Sequence, residues 1–96
     1  MKVLYTGSFD PITVGHLDII KRISCKFDEV VVTVFNNKEK RYWFSIEERC
    51  EMVKGAVKNL KNVQVDFTGG LVVDYCDKND ISIIVRGLRA VSDYEY

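Results

Sequence analysis

Residues 29–35 read EVVVTVF, an unbroken run dominated by β-branched and apolar residues. A hairpin strand with one wet face alternates apolar and polar residues. A run without alternation is the pattern of a strand covered on both faces by helices, as in a parallel sheet. Working back from it, Leu17, Ile20 and Ile23 recur at helical spacing up to about Lys26, with Asp18, Lys21 and Arg22 on other faces. Lys2–Thr6 (KVLYT) is a short apolar run cut off by Gly7, which suits a first strand.

Working forward, a polar loop NNKEKRYW leads to SIEE, where Ser45 and Glu48 form a capping box: each side chain satisfies one orphan backbone donor of a helix start. That helix runs through Met52, Val53, Ala56 and Val57 to about Leu60. Val63–Phe67 (VQVDF) reads as a third strand, Gly69-Gly70 breaks it, Leu71–Lys78 (LVVDYCDK) reads as a third helix, and Ile81–Val85 (ISIIV) as a fourth strand. The order βαβαβαβ predicts an α/β fold, a Rossmann-like doubly wound parallel sheet with right-handed crossovers. With strands 3-2-1 running outward and strand 4 on the far side of strand 1, the strand order reverses between strands 1 and 4. Ligands of such sheets bind at that point, outside the carboxyl ends of the strands.

The 96 residues allow one domain, 1–96, with one modest core. Lys plus Arg and Asp plus Glu both count 14, so no global field favours nucleic acid or an anionic membrane, and any anion site must be local. MKVLYTG lacks the apolar run of a signal peptide, and no segment approaches a membrane span; a cytoplasmic protein is the expectation. Three cysteines, Cys25, Cys50 and Cys76, stand in no metal-ligand spacing and read as small buried or half-buried thiols.

The first strand is followed by YTGSFDPITVGH, residues 5–16, which holds two glycines, the only proline and the only histidine of the chain. Gly7 permits a sharp turn, Ser8 offers a hydroxyl and a backbone donor, and Pro11 stiffens the loop. Gly15-His16 falls in the first turn of the helix, where the dipole favours a neutral imidazole or an anion beside it. Lys38, Lys40 and Arg41 follow strand 2, and Arg86 and Arg89 follow strand 4. Several cations and a helix N-terminus at one crevice suit a polyphosphate ligand.

GSFDPITVGH, residues 7–16, resembles the T/HxGH motif of the nucleotidyltransferase superfamily, here Thr13-Val14-Gly15-His16. RGLRAVSDYEY, residues 86–96, narrows the resemblance to the phosphopantetheine adenylyltransferases, and SIEER, residues 45–49, extends it over the whole chain. That resemblance implies transfer of the adenylyl group of ATP to 4'-phosphopantetheine. It implies His16 as transition-state stabiliser and ATP contact, with Ser8, Phe9, Gly87, Leu88 and Arg89 also at ATP. It implies Ser8, Lys40, Val72 and Arg86 at the second substrate; Lys38 and Arg41 leave the position of the lysine open by a residue or so. Magnesium would come with ATP rather than in a dedicated metal site, and the full-length family is hexameric. The family also has a fifth strand, a glutamate soon after DYEY and a serine-rich segment on the triphosphate. None of these is in the sequence, and Ser92 and Glu95 announce a helix one residue before it ends, so a C-terminally incomplete chain is expected.

Plainer readings stand beside these. Lys40 and Arg41 could be a solvated pair, Arg86 and Arg89 could pair with Asp93 or Glu95, and Val72 could be core. Tyr42, Trp43 and Phe44 could stack on a base, with core or subunit packing the favoured alternative. A catalytically inactive nucleotide-binding fragment, a nicotinate-mononucleotide adenylyltransferase and a cytidylyltransferase are the competing functional readings; RGLRAVSDYEY argues against the last two.

Overall fold

The computed structural model describes residues 1–85. Four parallel strands, β1 (Lys2–Gly7), β2 (Glu29–Phe35), β3 (Val63–Thr68) and β4 (Ile83–Val85), lie in the order β3-β2-β1-β4. Helices α1 (Val14–Lys26), α2 (Ile46–Val57) and α3 (Val72–Lys78) connect them. The order expected from the sequence is therefore the order observed.

β2 lies between β1 and β3, and Val30, Val31, Val32, Thr33 and Val34 are all buried, as the unbroken apolar run requires. The two faces are covered by different helices. Val3, Tyr5, Val30, Val32 and Val34 pack with Ile20 of α1 and Cys50, Val53 and Val57 of α2. On the other face Leu4 and Val31 pack with Cys76 of α3 and with Ile81. Because α1 and α2 share one face and α3 takes the other, the chain changes direction between β1 and β4.

Two boundaries differ from the sequence reading by two residues or more. α2 ends at Val57, where the Leu60 amide turns back onto the Val57 carbonyl at 2.8 Å, rather than continuing to Leu60. β4 begins at Ile83, not Ile81. Asp80 has φ 55°, and the Ile81 amide bonds the Cys76 carbonyl at 2.9 Å, so Ile81 closes α3 and buries its side chain before the strand starts. Cys25 is exposed on α1, against the expected burial, whereas Cys50 and Cys76 are buried and burial pushes both of those thiols up. The cap read at Ser92 and Glu95 lies outside the described residues.

Candidate active site

The turn between β1 and α1 is organised by one capping box. Thr13 is the N-cap of α1, and its Oγ1 accepts from the His16 amide at 3.3 Å. In return the Thr13 amide donates to His16 Nδ1 at 3.0 Å. A capping box is ordinarily closed by Glu or Gln at this position; here an imidazole closes it. A backbone N–H can only donate, so Nδ1 must present its lone pair and the neutral ring carries its proton on Nε2. The Thr13 hydroxyl, 3.1 Å from Nδ1, adds to the same hold.

Phe9 sets the height of that ring. Its backbone is in the left-handed region at φ 47°, an unfavourable place for a bulky residue, and the side chain is held there by near-complete burial. The ring packs edge-on against Tyr5, with centroids 5.7 Å apart, and against His16 at 5.1 Å. Gly7 leaves room for it: a Cβ there would meet the Phe9 ring at 3.3 Å. No glycine among the described residues has a positive φ, so the service of Gly7 is space rather than a left-handed turn.

The loop after β2 is tied to this turn by two residues that sequence reasoning missed. Arg49 of α2 is 1 % exposed. Its Nη1 donates to the carbonyls of Ser8 and Phe35, each at 3.1 Å, its Nε donates to the Phe44 carbonyl at 3.1 Å, and its Nη2 donates to Asn36 Oδ1. The guanidinium lies 3.8 Å over the ring of Tyr42. Asp10 accepts from the amides of Trp43 at 2.6 Å and Phe44 at 2.8 Å. Arg49 stood in plain view within SIEER, at a position of α2 that faces the core; a charge at an apolar helical position was the available signal.

Lys38, Lys40 and Arg41 are exposed on the loop thus anchored. Lys40 Nζ lies 5.7 Å from the Tyr42 ring centre, and the loop turns on Asn37, whose Oδ1 accepts from the Glu39 amide at 3.0 Å. The three aromatics have three different roles, so neither core packing nor a stacking patch describes them together. Tyr42 lies under Arg49, Phe44 is half-buried, and Trp43 is 89 % exposed. The third loop joins through Asn36, whose amide bonds the Thr68 carbonyl at 2.9 Å, and through Gly69, where a Cβ would meet the Asn36 carbonyl at 3.3 Å. Val72, just beyond, is partly buried against Leu4, Val31, Cys76 and Ile81, which favours its core reading.

The structure therefore gathers Ser8, Phe9, His16 and the Lys40 loop at the carboxyl ends of β1 and β2. Arg86, Gly87, Leu88 and Arg89 lie outside the described residues. The cleft between α2 and β3, lined by Ile46, Cys50, Lys54, Val65 and Phe67 among others, includes none of the expected site residues. Among the described residues no group of three or more His, Cys, Asp or Glu side chains could hold a metal ion, and no helix is long and apolar enough to cross a membrane.

Comparison with known proteins agrees with this architecture. The cytidylyltransferase-like family profile matches residues 4–96. A phosphopantetheine adenylyltransferase of Bdellovibrio bacteriovorus is 56 % identical over 93 residues, covering 97 % of this chain and 58 % of its own length. Those of Thermotoga neapolitana and Dictyoglomus turgidum are 53 % and 52 % identical over all 96 residues, or 60 % of their own length. The chain thus spans about three-fifths of the length of the curated relatives it matches. The crystal structure of the lipopolysaccharide core biosynthesis protein from Thermoplasma volcanium superposes with a TM-score of 0.65, over 93 % of this chain and 97 % of that one. At 20 % identity that likeness is one of fold.

Proposed function

The chain belongs to the cytidylyltransferase-like family, and from that premise we propose that its protein transfers the adenylyl group of ATP to 4'-phosphopantetheine, giving dephospho-coenzyme A and pyrophosphate. The observation that carries this reading is His16, held by Thr13 at the N-terminus of α1 with its proton on Nε2. The names and identities of the relatives support 4'-phosphopantetheine as the acceptor.

In this reaction a phosphate oxygen of the acceptor attacks the α-phosphorus of ATP. The new P–O bond forms as the bond to the bridging oxygen of the β-phosphate breaks, and pyrophosphate leaves with that electron pair. The attacking phosphate is ionised at neutral pH, so no general base is needed. Catalysis is positioning and stabilisation of charge on the phosphoryl oxygens. In this reading the His16 Nε2–H donates to an α-phosphate oxygen, and the α1 N-terminus adds its partial charge. Ser8 meets both substrates and Phe9 presents backbone to ATP. Lys40 holds the acceptor phosphate together with Arg86. Gly87, Leu88 and Arg89 hold ATP, and Val72 meets the pantetheine arm through its backbone while its side chain stays in the core.

Magnesium is proposed to arrive on the phosphates of ATP, which suits an ion that keeps waters and binds nucleotides without a protein cage. Among the described residues no group of three or more His, Cys, Asp or Glu side chains forms such a cage. A cytoplasmic homo-oligomer, hexameric at the family's full length, completes the proposal. Nucleic acid and membrane are not among its partners.

The test is pyrophosphate release by the full-length protein with ATP and 4'-phosphopantetheine, run beside nicotinate mononucleotide and beside CTP. Dephospho-coenzyme A as the product supports the reading. Product from nicotinate mononucleotide or CTP alone overturns it. Turnover by residues 1–96 equal to that of a chain extended to the length of these relatives would overturn the contribution expected from the added segment.

A further inference from the structure

We propose that Asp10 and Arg49 form a latch that sets the cationic loop 37–42 against the His16 turn, which makes both of them positioning residues for phosphate binding. The inference rests on the functional reading above for what the mouth binds, but its geometry is set by bonds within the chain.

A buried guanidinium normally has a carboxylate partner, because an uncompensated charge in the interior is costly. Arg49 is 1 % exposed and no carboxylate pairs with it among the described residues. Its charge is met by three carbonyls, an amide oxygen and an aromatic face. For packing alone, a leucine or methionine would serve with no desolvation to offset. What the rigid fork of donors supplies is geometry: it reaches three separate pieces of chain at once.

Those pieces are specific. Ser8 follows the last residue of β1, Phe35 ends β2 and Asn36 follows it, and Phe44 leads into α2. The guanidinium thus holds both ends of the loop 37–42, since Phe35 and Asn36 precede it and Phe44 follows it. Asp10 completes the circuit from the other side. Its carboxylate takes the Phe44 amide while Arg49 takes the Phe44 carbonyl, so that one residue is held from both directions. The chain from Ser8 to Asp10 is in turn held at each end, by Arg49 on the Ser8 carbonyl and by Trp43 and Phe44 on Asp10.

The loop so anchored carries Lys38, Lys40 and Arg41, like charges that repel one another and would splay a free loop. Fixing its two ends next to the β1–α1 turn removes part of the ordering cost from the moment an anion binds. Neither Asp10 nor Arg49 needs to touch the ligand for this to act.

Hydrogen exchange and kinetics on the full-length protein test the latch, with Asp10→Asn, Asp10→Glu and Arg49→Lys. Asp10→Asn keeps size but puts a donor NH2 where one of the two accepting oxygens stood, Oδ2 to Trp43 or Oδ1 to Phe44, and Arg49→Lys keeps charge but loses the fork. In the unliganded protein, exchange at the Trp43 and Phe44 amides is expected to rise about tenfold or more in Asp10→Asn. KM for the phosphate acceptor should rise about tenfold with kcat within about threefold, Asp10→Glu should recover part of the loss, and Lys40→Ala should cost less in the Asp10→Asn background than in the wild type. Arg49→Lys should move exchange and KM in the same direction. Unchanged exchange at Trp43 and Phe44 in Asp10→Asn and Arg49→Lys overturns the latch. So does a loss of thermal stability and kcat with KM unmoved. If the wild type transfers no nucleotidyl group to any acceptor, the functional reading fails while the exchange result still decides the latch.

Discussion

Thr13 and His16 secure each other across the first turn of α1: the Thr13 hydroxyl accepts the His16 amide, and the His16 ring accepts the Thr13 amide through Nδ1. One side chain thereby both caps the helix and fixes its own tautomer. Under the proposed function stability and chemistry share a residue, and the two can be separated by choosing what replaces the imidazole.

His16→Asn keeps an oxygen able to accept from the Thr13 amide and removes the Nε2 donor. Melting temperature is expected to stay within about 2 °C of the wild type, while turnover falls by about a hundredfold or more with substrate affinity little changed. Thr13→Ala should do the reverse in stability, costing about 1 kcal/mol through loss of the cap. Thermal melts beside steady-state kinetics check both; a change in affinity alone for His16→Asn would place the residue in ground-state binding.

Gly7 and Gly55 should respond oppositely to the same added methyl. At Gly7 it would meet the Phe9 ring at 3.3 Å, and that ring cannot retreat, being wedged between Tyr5 and His16. Gly7→Ala is expected to destabilise by about 1–3 kcal/mol, the range of overpacking in a core. Gly55 lies inside α2 with nothing within 4 Å of its absent Cβ. Gly55→Ala should therefore stabilise by about 1 kcal/mol through helix propensity. Denaturant titrations of the two variants test the pair, and a Gly7→Ala protein as stable as wild type would refute the wedge.

Tyr75 predicts how the fold responds to alkali. Burial, and secondarily the bond its hydroxyl donates to Asp66 at 2.7 Å, push its pKa up to about 12. Between about pH 10 and 12 the unfolded chain loses this proton while the folded chain keeps it, so rising pH favours unfolding; below pH 10 the stabilising contribution is complete. Tyr75→Phe should lose stability less steeply over that window than the wild type. The remaining slope belongs in part to Tyr5, which burial also raises. Melting temperatures from pH 8 to 12 give the comparison, and parallel curves would rule out the assignment.

The elements were legible where the signal is local. EVVVTVF carries its double burial in its own composition, and the Ser45–Glu48 box marks the start of α2 within four residues, with both reciprocal bonds formed at 3.0 and 3.1 Å. The Thr13–His16 box follows the same rule but was not visible as a cap, because an imidazole replaces the usual carboxylate or carboxamide. The end of α2 and the start of β4 were displaced, since apolar periodicity runs on past Val57 and back to Ile81 although the backbone bonds have already changed partner.

The sequence by itself determined the order of strands and helices, the buried middle strand and the family motif around His16, because each depends on residues a few positions apart. Only the tertiary structure decided what organises the mouth. The bonds from Asp10 to Phe44 and from Arg49 to Ser8 join residues 34 and 41 positions apart. No periodicity records such a separation: a carboxylate in a loop and an arginine on a helix read as solvated charges until the sheet brings the ends of β1 and β2 side by side and buries what lies between them.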